Sequence, residues 1–139
     1  MIEYHYECDF ELTNENKYTE WLNILATSEH ASIESLNYIF CTDARLLEIN
    51  KEFLSHDEYT DIITFNYGDH KQIAGDIYIS KERVWENAGI YNATPEAEML
   101  RVMAHGVLHL LGYNDKTPDE KSTMREKEEE KVIMFHVEH

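Results

Sequence analysis

Residues 105–115 read His-Gly-Val-Leu-His-Leu-Leu-Gly-Tyr-Asn-Asp, and they constrain the fold more than any other stretch of the chain. His105 and His109 stand four residues apart. On a helix that spacing puts both on one face with Cβ atoms about 5–6 Å apart, so both imidazoles can reach one metal ion at roughly 2.0–2.1 Å. Gly112 falls where such a helix stops, because glycine takes the left-handed conformation after a helix end at little cost. The reversed chain then carries Asp115 back toward the imidazoles as a third ligand. His-x3-His-x2-Gly-x2-Asp is a three-point clamp, and three protein ligands leave a fourth position for water, as catalytic zinc requires. The alternative is a pair of partly buried, hydrogen-bonded histidines beside a glycine that only caps a helix. The acid three residues beyond the glycine meets a separate geometric need and favours the clamp.

The same run excludes one chemistry. Zinc peptidases of the His-Glu-x-x-His kind place a general-base glutamate directly after the first histidine; here that position is Gly106. The clamp reads as hydrolytic, with peptide hydrolysis disfavoured. From Met99 to Leu111 apolar residues occur almost all the way round the predicted helix, so it is expected to be buried on several sides and to hold its histidines rigidly.

A chain of 139 residues with 42% apolar content suits one folded domain spanning 1–139. No apolar run approaches a membrane span, and Met1-Ile2-Glu3 does not open a signal peptide, so a cytoplasmic protein is expected. Cys8 and Cys41 form neither a disulfide framework nor a metal spacing, and both read as reduced. The net charge of −16 opposes broad, sequence-independent attraction to nucleic acid. Basic residues are uneven, however: Lys17, Arg45, Lys51 and Lys71 precede residue 80, and the other eight follow.

Taken in order, Ile2 to Leu12 alternates apolar and polar residues as a half-buried strand does, with His5 structural within it. Asn14 caps a helix to about Thr27, with Trp21, Leu22 and Leu25 inward. Ser32 to Cys41 is a second strand. Thr42 or Asp43 caps a helix to about Leu54, whose stripe of Leu46, Ile49 and Phe53 is assigned to the core. His56 to Tyr59 reads as a polar loop. Thr60 to Phe65 and Gln72 to Ser80 are strands joined by a turn at Gly68-Asp69. Asp61 and Asp76 could face a site, with capping or turn duty equally compatible. Ser80 caps a short helix, Thr94-Pro95 opens the metal helix, and a charged helix runs from Thr117 to the end. Glu126 to Lys131 reads as its solvated face, with Met124, Val132 and Phe135 as core contacts. His136 and His139 read as tail residues.

With these residues in view, His-Gly-Val-Leu-His-Leu-Leu-Gly-Tyr resembles the signature of the YbeY family, bacterial metal-dependent endoribonucleases of ribosomal RNA maturation. Thr60-Asp61-Ile62-Ile63-Thr64-Phe65 and Gly75-Asp76-Ile77 resemble two further motifs of that family in order and spacing, and Asn50 to Asp57 follows its pattern before the first of them. The resemblance covers roughly residues 30 to 135. It implies an α/β (α+β) domain with a small mixed four-stranded sheet packed against helices and a zincin-like metal helix. It also implies one Zn²⁺ per chain and cleavage of single-stranded RNA, acting on small-subunit ribosomal RNA 3′ ends and in ribosome quality control. The implied partners are ribosomal RNA, the small ribosomal subunit and ribosome-associated proteins.

Two positions depart from the family pattern. Asp115 stands where most members carry a third histidine; a carboxylate also ligates zinc, so the expected metal ligands are His105, His109 and Asp115. Leu54 falls where the family has an arginine, so no guanidinium is there to hold phosphate. Two other classes of function are weighed against the nuclease: a metallopeptidase, disfavoured by Gly106, and a ribosome-assembly binding protein with a structural zinc, favoured by Leu54 and the charge. Should Asp115 be only a loop residue, the third ligand would be sought among His136, His139 and Asp119.

Overall fold

The computed structural model describes residues 1–54 and 60–137. Nine elements follow one another: β1 (Ile2–Tyr6), α1 (Glu15–Ser28), β2 (Ser32–Cys41), α2 (Asp43–Leu54), β3 (Ile62–Asn66), β4 (Gln72–Ser80), α3 (Lys81–Ile90), α4 (Pro95–Leu110) and α5 (Pro118–His136). The strands make one mixed sheet in the order β1-β2-β4-β3. β1, β2 and β4 run parallel, and β3 closes one edge antiparallel to β4. The expected α/β architecture is therefore present, with α4 at its centre.

Side chains alternate across the strands, so each face of the sheet builds its own core. Leu36, Tyr38 and Phe40 of β2 share one face with Ile73, Ile77 and Ile79 of β4, and pack with Leu22 and Leu25 of α1 and Val102, Met103 and Val107 of α4. Opposite, Cys41 and Ile63 pack against Leu46 and Ile49 of α2. Both faces are covered near the end of β2, which is why Tyr38 to Cys41 are all buried instead of alternating.

The helix caps follow the sequence reading. Thr94 accepts from the Ala97 amide with Pro95 at the first helical position, and Thr117 and Glu120 form a reciprocal capping box at the start of α5. His5 is structural as expected, its Nε2 3.2 Å from Asn37 Oδ1 on the sheet. Both cysteines are free thiols, Cys41 buried and Cys8 partly so. Among the described residues no helix is long and apolar enough to cross a membrane.

Three expectations are corrected. The strand expected over Ile2 to Leu12 stops at Tyr6, and Leu12 instead turns its amide to the Tyr6 hydroxyl. Phe53, in the last turn of α2, is 59% exposed and meets Phe65 edge-on instead of joining the buried cluster of Leu46 and Ile49. Within the supposed solvated face of α5, Glu128 and Lys131 are buried. Both belong to a buried stripe with Met124, since residues three and four apart share a helix face. The loop at His56 to Tyr59 and the terminal His139 lie outside the described residues.

Candidate metal centre

Helix α4 reaches the sheet closely because of Gly106. A Cβ there would meet Ile77 Cδ1 at 2.9 Å and Ile62 Cδ1 at 3.1 Å. The residue that replaces a peptidase glutamate is thus a packing glycine turned to the sheet, where a side chain would press on Ile77 and Ile62. Gly106→Ala is expected to destabilise the protein by about 1–3 kcal/mol through overpacking. Chemical denaturation would check this, and unchanged stability would show that Ile77 and Ile62 give way freely.

On the other side of α4, His105 and His109 face each other, Nε2 to Nε2, at 2.9 Å. Gly112, at φ +106°, ends the helix in the left-handed conformation, with the His70 ring packed where a Cβ would stand. The returning chain places Asp115 Oδ2 3.3 Å from His105 Nε2 and 3.5 Å from His109 Nε2. Tetrahedral ligands at roughly 2.0–2.1 Å from zinc stand about 3.3 Å apart, so the three atoms form a triangle of the right size for one divalent ion. His105, His109 and Asp115 are the one such cluster among the described residues.

The hydrogen bonds decide which nitrogen faces the centre. His105 Nδ1 lies 2.5 Å from Glu128 Oε2, and His109 Nδ1 lies 2.9 Å from the Tyr113 carbonyl. A carboxylate and a carbonyl can only accept, so each Nδ1 carries the proton and each Nε2 turns a lone pair inward. This is the outer-shell arrangement that orients metal-ligating histidines. Burial, and then the neighbouring His105, lower the His109 pKa and favour the neutral form a metal needs.

Behind His105 lies a buried charge array. Glu98, 3% exposed, takes a bidentate pair from Arg101 at 2.9 and 2.7 Å, and Arg101 Nη1 donates to Glu128 Oε1 at 3.1 Å. Burial pushes the Glu128 carboxyl up, but the His105 hydrogen bond and the Arg101 charge outweigh it and hold it below the usual range. Asp61, at the start of β3, faces the same array. Burial raises its pKa against the opposing charges of Arg101 and His105.

The other sequence candidates lie elsewhere. Asp76 accepts from Asn37 and Tyr67 as part of a polar network on the sheet. His136 closes α5 with its ring against Phe135, and Asp119 is exposed in the first turn of α5. Leu54 ends α2, 43% exposed. Sequence reasoning missed Glu128, Arg101 and Glu98. A signal for Glu128 was present: it lies four residues from Met124 and from Val132, on the stripe assigned to the core.

Similarity to known proteins extends along nearly the whole chain. The profile of a family described as Endoribonuclease YbeY matches residues 3–136. A curated protein of Flavobacterium johnsoniae named Endoribonuclease YbeY is 49% identical over 138 residues, covering 99% of each chain. One of the same name from Flavobacterium psychrophilum is 50% identical over 137 residues, covering 99% of this chain and 98% of that one. The solution structure of a Thermotoga maritima protein superposes with a TM-score of 0.69 at 29% identity, covering 97% of this chain and 89% of the other.

Proposed function

This chain belongs to the YbeY endoribonuclease family, and from that premise we propose that it is a zinc-dependent, single-strand-specific endoribonuclease. Its substrate in this reading is ribosomal RNA at the 3′ end of the small-subunit species, cleaved in the cytoplasm during ribosome maturation and quality control. The single observation that carries the proposal is the convergence of two lone-pair-bearing Nε2 atoms and one carboxylate oxygen in a triangle with sides of 2.9, 3.3 and 3.5 Å. Relatives named endoribonucleases supply the class of reaction.

When bound, a divalent cation supplies Lewis acidity that polarises a phosphodiester and activates water. His105, His109 and Asp115 would hold it. Glu128 and the Tyr113 carbonyl keep both Nδ1 protons away from the centre, so the imidazoles bind as neutral donors. Asp61 is a further carboxyl close to this array, its pKa raised by burial. Peptidase chemistry lacks its base, since Gly106 is enclosed by Ile77 and Ile62.

The test is cleavage of single-stranded and structured RNA, with casein as a parallel substrate, before and after chelation and with zinc restored. Cleavage confined to single-stranded RNA and restored by zinc supports the proposal; casein hydrolysis, or RNA cleavage indifferent to chelator, overturns it. Asp115→His should keep the metal, sharpen the preference for zinc over manganese and move the cleavage profile toward lower pH. Replacing a carboxylate by a neutral imidazole raises the net charge of the centre by about one unit and removes its hard oxygen ligand. Metal competition and pH–rate curves for the two proteins would check this.

Leu54 favours one second reading, a ribosome-assembly protein whose metal is structural, because no arginine stands at the family's phosphate-binding position. If His109→Ala abolishes RNA cleavage while ribosome association persists, the nuclease reading stands. If the wild-type protein binds ribosomes and cleaves nothing, the second reading replaces it.

A further inference from the structure

The carbonyl that orients His109 belongs to Tyr113, and the Tyr113 side chain is itself tied to α1 and α5. Its hydroxyl donates to Glu29 Oε1 at 2.5 Å, at the end of α1. The other oxygen of Glu29 accepts from Lys131 at 2.7 Å and from Lys127 at 3.0 Å, both on α5. Lys131 is fully buried, and each of its three N–H groups has an acceptor: Glu29, Ser28 Oγ at 2.9 Å and Glu130 Oε1 at 3.1 Å. The Trp21 indole N–H bonds the Lys131 carbonyl at 2.7 Å, which fastens α5 to α1 at the same point.

We infer that Glu29, Lys127 and Lys131 are positioning residues of the metal centre, forming a strut that acts through Tyr113 to hold the His109 imidazole and the chain leading to Asp115. The inference rests on the metal-centre reading above. Four lines support it. Tyr113 lies between two ligands in sequence, four residues after His109 and two before Asp115, so fixing its place constrains both. The loop is pinned at its far end as well, where Glu120 Oε1 accepts from the Lys116 and Thr117 amides at 3.2 and 2.9 Å. Burial alone would push the Glu29 carboxyl up, yet hydrogen bonds from Lys131, Tyr113 and Lys127 bring it down to about 2, so the charged strut is intact at neutral pH. A buried lysine is costly to desolvate, and with all its donors satisfied the network rigidifies the elements it joins.

Tyr113→Phe is the cleanest test, since it keeps the ring and the backbone carbonyl and removes only the hydroxyl that ties Tyr113 to Glu29 and Lys127. Zinc affinity, measured by competition with a chromophoric chelator, is expected to fall about tenfold, the low end for an outer-shell change. In metal-free protein above the imidazole titration range, long-range ¹H–¹⁵N spectra should show His109 shift from one Nδ1-protonated form to a mixture of tautomers. Glu29→Gln combined with Lys131→Met, which removes the carboxylate and the buried cation together, should act in the same direction. Ile79→Val, a core trim away from the strut, should change neither readout. Wild-type zinc affinity with an unchanged His109 tautomer in Tyr113→Phe overturns the strut, as would an equal loss in Ile79→Val. If the wild-type chain bound no zinc, the metal reading would fall, and the metal-free spectra would still decide whether Tyr113 orients His109.

Discussion

His109→Ala is expected to lose the metal and any RNA cleavage outright while remaining folded. His109 offers one of three candidate ligand atoms, and among the described residues no other His, Cys, Asp or Glu joins that cluster to take its place. Affinity should therefore fall by more than the 10–100-fold, in round terms about two orders of magnitude, that marks the loss of an outer-shell partner. The fold should survive: the substitution breaks one hydrogen bond to the Tyr113 carbonyl, a net loss of about 1 kcal/mol. His105→Ala should lose metal equally and cost more stability, because it also strips the buried Glu128 carboxylate of its imidazole partner. Equilibrium dialysis with elemental analysis, beside thermal unfolding followed by circular dichroism, measures both effects. Full metal content in His109→Ala would place the site elsewhere.

The second large effect is expected at Glu128. Its two oxygens serve two different groups, His105 Nδ1 at 2.5 Å and Arg101 Nη1 at 3.1 Å. Glutamine keeps the shape but offers one acceptor oxygen, and its amide N–H₂ would confront either an N–H of His105 or the guanidinium. Glu128→Gln should weaken metal binding by about 10–100-fold by releasing His105 from its orientation and tautomer. It should also cost the metal-free protein about 2–3 kcal/mol, the scale of a lost charge-assisted hydrogen bond in a buried site. The pH dependence has a definite sign. The Glu128 carboxyl sits below its ordinary value of 4.5, so its contribution is fully present above that value and is lost as pH falls below it. Wild-type stability should therefore decline on acidification more steeply than that of the variant, and the two curves should converge at low pH. Denaturant unfolding of metal-free protein between neutral pH and about pH 3 reads this directly. Parallel curves would show that Glu128 is not the charged acceptor the geometry requires.

Most of the architecture was legible in local sequence patterns, for identifiable reasons. β2, β4 and α4 begin and end, and α3 begins, close to where alternation, capping and proline placement put them, because each boundary is set by residues within one turn of it. The strand expected to Leu12 failed because alternation persists past Tyr6 while pairing does not: β1 has only β2 as a neighbour, and their register ends at Tyr6 and Phe40. Phe53 failed because helical periodicity tells which face of α2 points inward but not how far along the helix burial extends.

His105, His109, Gly112 and Asp115 could be found from the sequence alone because helix geometry and a glycine stop bring them together within eleven residues. That determined the candidate ligand set and, through Gly106, that the glutamate of the His-Glu-x-x-His pattern is missing. Glu128, Arg101 and Glu98 behind His105, and Glu29 and Lys131 behind Tyr113, were decided only by tertiary structure. Their partners lie up to 110 residues apart in the chain, as Trp21 does from Lys131. A carboxylate or ammonium in an acidic helix looks solvated until the packing of α5 against α1 and α4 removes its water. Once desolvated, each charge must be matched by another, and only the three-dimensional arrangement specifies which.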